Sequence, residues 1–316
     1  MPDQRNTLDT FLADLARLLS LQDANTRTVL LGVAALGLAA GVVGCFATLR
    51  RRALLGDAIA HAALPGICAA FFLVGSRSFA AFMLGALVFG ALAAATVAAI
   101  RAWTRVKEDA AIAIVIGSYF GLGVVWSSLI QNRPEGAVAG LDGFIFGKAA
   151  SMVASDARSI LIVAVIVVGI VLLLYKELKA LTFDREFAQT QGWPTVALDL
   201  LVMALICACT VAGLPAVGVV LVVALLIIPG AAARCWTDRL GTMLLLAGLI
   251  GLSAAVMGAA LSATLPSPTG SASRGWPTGP LIVLCAAAAF MLSAIFAPGR
   301  GLISRLRAGR VEMRAP

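Results

Sequence analysis

Charged residues and histidine are scarce in this sequence, and both shortages exclude classes of protein. Only 13% of the 316 residues are Asp, Glu, Lys or Arg, whereas 61% are apolar. A soluble domain has about 25% charged and about 45–50% apolar residues, and a disordered chain needs low hydrophobicity. The composition therefore excludes both classes. A single histidine also excludes the HExxH motif of zinc proteases, which needs two.

Paired cysteines and a phosphate-binding loop are absent as well. The six cysteines form neither CxxC nor another paired-zinc spacing, so we interpret them mainly as small apolar residues within helices. The segment 143–149, GFIFGKA, has three residues between its glycines and an alanine after its lysine. A P-loop needs four residues there and Ser or Thr after the lysine. We therefore predict that the chain has no ATP site and is not an enzyme.

Long apolar runs are what the sequence has instead. They are continuous and close to the roughly 20 residues that cross a bilayer, so we predict an all-α polytopic membrane protein with eight or nine transmembrane helices. Pro65-Gly66 interrupts the second run, and Gly213-Leu214-Pro215 and Pro229-Gly230 flank the seventh, which is typical of broken or re-entrant helices. The runs cover residues 29–49, 54–75, 79–100, 110–130, 159–175, 195–213, 217–232, 241–264 and 280–297.

We divide the chain into three regions. Residues 1–28 are a charged N-terminal extension with the spacing of a short surface helix, residues 29–297 are the transmembrane domain, and residues 298–316 are a basic tail. Sixteen of the 24 Lys and Arg residues lie in alternate loops and in this tail. The positive-inside rule therefore places the tail in the cytoplasm and, with nine crossings, the N-terminus outside. The net charge of +8 follows from this topology and does not predict nucleic-acid binding.

Two carboxylates, Asp57 and Asp199, lie within apolar runs, where an ionisable side chain is costly and by default functional. Asp199 lies one turn into its run, so it is either a carboxylate that reaches the interface or a residue of a transport pathway. Asp57 precedes His61, the only histidine, by four residues. This spacing places both side chains on one face of a helix.

The Asp57–His61 pair has three interpretations: a metal site, a hydrogen bond that holds two helices together, or a proton relay. A carboxylate and an imidazole bind Mn²⁺, Fe²⁺ or Zn²⁺, and a two-fold dimer with this helix at its axis would supply two of each. Cys68, seven residues after His61 and on roughly the same face, is a candidate soft third ligand. The residue types alone leave these interpretations open.

A resemblance to a known family favours the metal. Residues 56–66, GDAIAHAALPG, are similar to the G-D-A-[IL]-[SA]-H-A-x-L-P-G block of the membrane subunits of manganese, zinc and iron ABC importers. Five further blocks follow in the same order, which is hard to obtain by chance. They are KEDAAI at 107–112, LDGFIFG at 141–147, FDREFA at 183–188 with Gly192, AVGV through LIIP at 216–229, and PTGPLIVL at 277–284. The loop at 266–276 is longer than in the family.

The resemblance implies a permease of the bacterial inner membrane, surrounded by lipid, with a divalent Mn, Zn or Fe ion as its transported substrate and no permanently bound cofactor. It implies three protein partners: a second protomer, a cytoplasmic ATPase and an extracytoplasmic metal-binding protein. Asp57 and His61 would contact the ion. The loop that docks on the ATPase would include Ile228, Pro229, Arg234, Asp238 and Arg239, and a second cytoplasmic contact would involve Asp184, Glu186 and Gly192.

Two rival functions remain at this point. A related permease for a bulkier chelate or cofactor would not need Asp57 and His61 as ligands. A proton- or ion-coupled secondary transporter, or a membrane enzyme, would not need a separate ATPase.

Overall fold

The computed structural model describes residues 24–50, 53–75, 79–132, 152–264, 276–298 and 301. Within these ranges the secondary structure consists of helices and short turns, without strands. The predicted surface helix before residue 24, the block at 141–147, the loop at 266–275 and the basic tail from residue 302 lie outside the described residues. The described part of the chain confirms the all-α class.

Eleven helices lie within the described ranges. Eight of them are long and apolar enough to cross a membrane, and α9 contains a shorter apolar stretch, 222–236. This confirms the prediction of eight or nine membrane helices. The helices are α1 (Ala24–Leu49), α2 (Ala53–Val74), α3 (Phe79–Trp103), α4 (Glu108–Gln131), α5 (Ala154–Leu173), α6 (Tyr175–Phe183), α7 (Arg185–Thr190), α8 (Thr195–Val217), α9 (Val219–Trp236), α10 (Leu240–Thr264) and α11 (Thr278–Phe296).

Helix α1 lies at the centre of the bundle and packs against α5, α8, α9 and α10. Glycines permit this, because a β-carbon at Gly37 would overlap the backbone of Gly251 in α10. Likewise, a β-carbon at Gly44 would overlap the backbone of Leu226 in α9. Close backbone approach of this kind is how small residues hold membrane helices together. The most apolar stretch of α1 is 72% buried, against 22% for α4, which lies at the periphery of the protomer.

Helix α2 is continuous through Pro65, which corrects the expectation that Pro65-Gly66 breaks the second span. A β-carbon at Gly66 would overlap the backbone oxygen of Gly85 in α3, and one at Gly123 of α4 would lie 2.8 Å from Cδ of Pro65. The glycine and the proline ring are therefore packed against neighbouring helices, which is how a membrane helix tolerates an internal proline. This packing fixes α2 between α3 and α4.

A sharp turn at Gly218 separates α8 from α9. Gly218 has φ +91°, a conformation that favours glycine. The turn brings Val222 against Gly213, where a β-carbon would overlap the valine side chain. The seventh predicted run is therefore interrupted at its start, as the flanking Gly and Pro residues predict. The Pro229-Gly230 pair at the end of that run does not break the helix, because Pro229 lies inside α9.

Candidate metal pathway site

Asp57 and His61 interrupt an otherwise buried part of α2. Ala58, Ile59 and Ala60 have no exposed surface, whereas the side chains of Asp57 and His61 are 34% and 23% exposed. Four residues make about one turn of a helix, so both side chains project from the same face. A carboxylate and the only imidazole of the chain thus face away from the core of the protomer, where an ion or a second chain can reach them.

The separation of the two side chains suits two ligands of one metal ion and also an ion pair within α2. His61 Nε2 lies 3.4 Å from Asp57 Oδ1, longer than the usual ~2.7–3.2 Å of an N–H···O hydrogen bond but within the reach of an ion pair. Two ligands at about 2.1 Å from an ion lie about 3.4 Å apart in a tetrahedral site and about 3.0 Å apart as neighbours in an octahedral one. Because both residues belong to α2, a bond between them would not link two helices.

The imidazole of His61 is held by the ring of Phe120 in α4. The ring centroids are 5.0 Å apart and the planes meet at 80°, an edge-to-face contact. His61 Nδ1 is buried and has no hydrogen-bond partner among the described residues. A ligating histidine usually donates from its second nitrogen, and loss of that partner weakens metal binding by about 10–100-fold. The arrangement therefore favours a site of modest affinity, which suits binding followed by release.

Beside this site, α4 carries an open glycine face that the sequence reasoning missed. A β-carbon at Gly117 or Gly121 would meet nothing within 4 Å, and Phe120, which contacts His61, lies between them. The signal was present, because these two glycines form a GxxxG motif, which pairs membrane helices. The face is suited to a second helix that approaches next to Asp57 and His61.

Cys68 does not join the pair, which corrects its interpretation as a third ligand. Its side chain is fully buried, and Sγ donates to the backbone oxygen of Gly123 in α4 at 3.9 Å. Within the described part of the chain, no group of three or more His, Cys, Asp or Glu side chains is placed to hold a metal ion. A single protomer therefore supplies two ligands from this part of the chain.

Asp199 does not line a pathway. It is 8% exposed, and its carboxylate oxygens pair with Arg50 and, at 3.5 Å, with Arg185. Arg50 follows α1, Arg185 opens α7, and Asp199 lies in the first turns of α8. A carboxylate held by two guanidinium groups is not available to a passing cation. It stabilises the junction of these elements, which corrects the assignment to the pathway.

The predicted docking loop is shorter than expected. Ile228 and Pro229 lie within α9, and only residues 237–239 separate α9 from α10. The apolar sequence on both sides of the Pro-Gly pair favours continued helix in a membrane, since neighbouring helices compensate for the missing N–H group. These two residues therefore belong to a helix and not to a loop.

The other three residues of the predicted loop lie at or near the end of α9. Arg234 Nη1 pairs with Asp238 Oδ1 at 3.1 Å, and Arg239 is exposed. This turn lies near the start of α6, since a β-carbon at Gly241 would be 3.1 Å from the hydroxyl of Tyr175. The short connection and the short helices α6 and α7 thus lie at the same end of the bundle.

Two residues of the predicted second contact have local structural roles. Asp184 is the N-cap of α7, where Oδ1 accepts a hydrogen bond of 2.8 Å from the N–H group of Phe187. Gly192 has φ +78°, in the turn that leads to α8. Glu186 is exposed. Asp184 and Gly192 shape the two ends of α7, and the exposed Glu186 has no such local role.

Two aromatic residues on α6 and α7 complete this surface and were missed by the sequence reasoning. Phe183 is 55% exposed and Phe187 is 50% exposed, whereas Leu178 and Leu181 of α6 are buried. The amphipathic pattern of α6 was the available signal, because Phe183 lies off its apolar face. Exposed aromatic side chains next to charged ones are typical of protein interfaces.

Comparison with known proteins agrees with the resemblance found in the motifs. The family model described as the ABC 3 transport family matches residues 22–297. The chain is 41% identical over 287 residues to the manganese transport system membrane protein MntC of Bacillus subtilis, covering 91% of this chain and 64% of that protein. It is 39% identical over 300 residues to the zinc transport system membrane protein TroC of Treponema pallidum, covering 95% and 97%. The chain thus spans less than two thirds of that MntC and nearly all of TroC.

Two solved structures resemble the fold. PsaBC from Streptococcus pneumoniae, solved in complex with a Fab, has a TM-score of 0.77 at 29% identity. The match covers 92% of this chain and 99% of the PsaBC chain. An inward-facing putative metal-chelate type ABC transporter has a TM-score of 0.66 at 17% identity, covering 91% and 97%. At that identity the second likeness concerns the fold alone.

Proposed function

Because the chain belongs to the ABC 3 transport family, as its motifs predict, we propose that it is the membrane permease of an importer for divalent manganese or zinc. The observation that carries the proposal is the Asp57–His61 pair, whose 3.4 Å separation suits two ligands of one ion. Relatives named as manganese and zinc transport proteins support these two cargoes. The bacterial plasma membrane is the location that follows, with the basic tail in the cytoplasm.

The transport site lies between two copies of the chain. Each protomer offers one carboxylate and one imidazole, and a two-fold axis beside α2 doubles this to four ligands, enough for a tetrahedral ion. The open face at Gly117 and Gly121 of α4 lets a partner helix approach next to His61. A site shared across an interface is made and opened by relative movement of the protomers, as alternating access requires.

A separate ATPase supplies the energy, because the sequence carries no phosphate-binding loop. It docks on the cytoplasmic surface formed by α6, α7 and the turn at 237–239. Phe183 and Phe187 provide exposed apolar contacts there, and Glu186 and the Arg234–Asp238 pair provide polar ones. Docking through a few exposed aromatics within a polar rim is the usual anatomy of a protein interface.

The transport cycle follows from these parts. An extracytoplasmic binding protein delivers one ion, which Asp57 and neutral His61 of both protomers receive as it loses its hydration shell. Because His61 Nδ1 has no partner among the described residues, the imidazole binds the ion moderately and releases it. Closure of the ATPase dimer moves α6 and α7, and the protomers rock to open the site on the other side.

The test is cellular metal content, measured by mass spectrometry in a bacterial host that lacks its own manganese and zinc uptake. The host expresses the permease with its ATPase and its binding protein. We expect manganese or zinc to rise with the wild type and not with His61→Ala at equal expression. Ser253→Ala is the matched control, because its hydroxyl donates within α10, at 3.0 Å to the oxygen of Ile250, and has no other hydrogen bond among the described residues.

The outcomes test the importer function and the Asp57–His61 site separately. If neither metal rises with the wild type in an assembled complex, the importer proposal is wrong, and a permease for a bulkier chelate takes its place. If uptake survives His61→Ala, the function stands and the site is wrong.

A further inference from the structure

A narrow apolar groove lies on the side of the bundle, remote in sequence from Asp57 and His61. It has a volume of about 460 Å³ and is formed by α1, α5 and α10 where α6 begins. This volume is within the range of small-molecule sites, about 300–1,000 Å³. Its lining includes Val42, Val171, Leu172, Tyr175, Leu244 and Leu245. The lining has no acidic, basic or thiol group, so the groove does not serve the metal ion.

The groove faces the hydrocarbon region of the membrane. Leu172 and Leu245 of its lining are 66% and 62% exposed, and they lie within spans long enough to cross a bilayer. Lipid chains are as apolar as leucine side chains. A hydrocarbon chain therefore fits the chemistry of the groove.

The mouth of the groove carries a polar group. The hydroxyl of Tyr175 lies 3.1 Å from the position that a β-carbon on Gly241 would take, so the glycine leaves room beside it. Among the described residues, this hydroxyl has no hydrogen-bond partner. Tyrosine is enriched where a membrane protein crosses from hydrocarbon to headgroups. The mouth is therefore at headgroup level.

Three cationic residues lie close in sequence to Tyr175 and Gly241 of this mouth. Lys176 follows Tyr175, Lys179 lies one turn later on α6, and Arg239 precedes α10; all three are exposed. Two carboxylates lie nearby. Asp238 is paired with Arg234 at 3.1 Å, and the half-buried Glu177 offsets only one of the three cations, so the charge beside the mouth stays positive. Basic groups beside a cytoplasmic membrane surface attract anionic lipids.

We propose that the groove binds one anionic phospholipid of the cytoplasmic leaflet. One acyl chain lies between α1, α5 and α10. The hydroxyl of Tyr175 donates to the headgroup phosphate, and Lys176 and Arg239 neutralise its charge. Because Tyr175 opens α6 and Gly241 lies in the first turn of α10, the lipid bridges the cytoplasmic ends of the two elements. The inference is independent of which ion the protein carries.

Native mass spectrometry of the full-length protein in detergent tests the headgroup. Phosphatidylglycerol and phosphatidylcholine with identical acyl chains are added separately, and the retained lipid is counted. We expect the wild type to retain phosphatidylglycerol several-fold more than phosphatidylcholine. The double variant Lys176→Gln, Arg239→Gln should retain the two equally. The control Arg105→Gln, Lys107→Gln removes two exposed cations from the loop between α3 and α4 and should keep the wild-type preference.

A second pair of variants tests the acyl-chain groove. Gly241→Leu fills the mouth and should lower retention of both lipids several-fold. Gly169→Leu adds the same side chain on α5 at a position where a β-carbon meets nothing within 4 Å, and it should not change retention. The exposed charge variants decide the proposal even if Gly241→Leu fails to accumulate.

Three results would overturn the proposal. The first is equal retention of both lipids by the wild type, which removes the headgroup site. The second is the same loss of preference in the control double variant, which reduces the effect to general surface charge. The third is wild-type retention by a folded Gly241→Leu, which excludes the groove.

Discussion

Asp57 and Asp199 are both carboxylates within apolar spans, yet their surroundings differ. Asp57 is one-third exposed and lies 3.4 Å from a neutral or protonated imidazole. Asp199 is buried and paired with Arg50 and Arg185. Permanent guanidinium partners leave no demand for a cation, whereas an imidazole that can lose its proton leaves the carboxylate in need of one. Partner chemistry therefore separates a transport carboxylate from a structural one, although both are costly to bury.

Asp57→Asn should lower metal transport and leave the stability of the protein nearly unchanged. We expect uptake to fall by more than about tenfold, because a direct ligand is lost. Loss of a residue that only hydrogen-bonds to a metal ligand already lowers metal affinity by about 10–100-fold. The melting temperature of the purified protein should stay close to wild type, since Asp57 has no Lys or Arg partner among the described residues. Radioactive manganese or zinc uptake and a thermal melt check both parts. Normal uptake would contradict the assignment.

Asp199→Asn should show the opposite pattern. Removing the carboxylate leaves two guanidinium groups without their common partner, and breaking a buried pair in this way costs about 3–5 kcal/mol. We expect a lower melting temperature and less folded protein in the membrane, with metal affinity per folded molecule unchanged. Detergent melts and metal titrations of the surviving protein separate the two effects. A stable variant with weakened metal binding would return Asp199 to the pathway.

Acidification should also distinguish the two carboxylates. Only neutral imidazole ligates, so protons compete with the ion for the imidazole nitrogen, and metal binding should weaken as the pH falls. The guanidinium groups of Arg50 and Arg185 stay protonated throughout. Metal titrations between pH 5 and 8 should weaken toward low pH, with no matching loss of stability. Affinity that is flat or rises on acidification would exclude imidazole ligation.

The two arginines of the Asp199 network should differ in the size of their effects. The Arg185 side chain is 49% exposed and that of Arg50 is 10% exposed. Arg185→Gln should cost about 0.5–1 kcal/mol, because solvent screens that pair, whereas Arg50→Gln should cost about 3 kcal/mol. Denaturation of both variants in the same detergent gives the ranking. Equal costs would mean that burial does not set the strength of this network.

Much of the helical architecture could be predicted because its causes are local. Apolar runs gave helices such as α4 and α10 within a few residues, since a span must satisfy its own backbone in lipid. One exception was α2, where proline predicts a break but the ring packs against Gly123. The cause of that continuity is a contact between distant segments, which no local pattern contains.

The candidate site was predictable only in part. Spacing alone placed Asp57 and His61 together, since i and i+4 share a face of any helix. The same argument put Cys68 on roughly that face, but its thiol turns to the backbone of Gly123. Helical periodicity gives the direction in which a side chain points from its own helix. It does not give which neighbouring helix lies in that direction.

Composition and periodicity by themselves determined that this chain is an all-α membrane protein and that its only histidine shares a helix face with a carboxylate. These properties depend on residues close in sequence or on the whole composition. The tertiary structure alone decided that Asp199 is held by Arg50 and Arg185, that Pro65 is accommodated, and that Gly117 and Gly121 of α4 are left open. Such outcomes depend on which segments meet across the bundle, and packing between distant helices sets that choice.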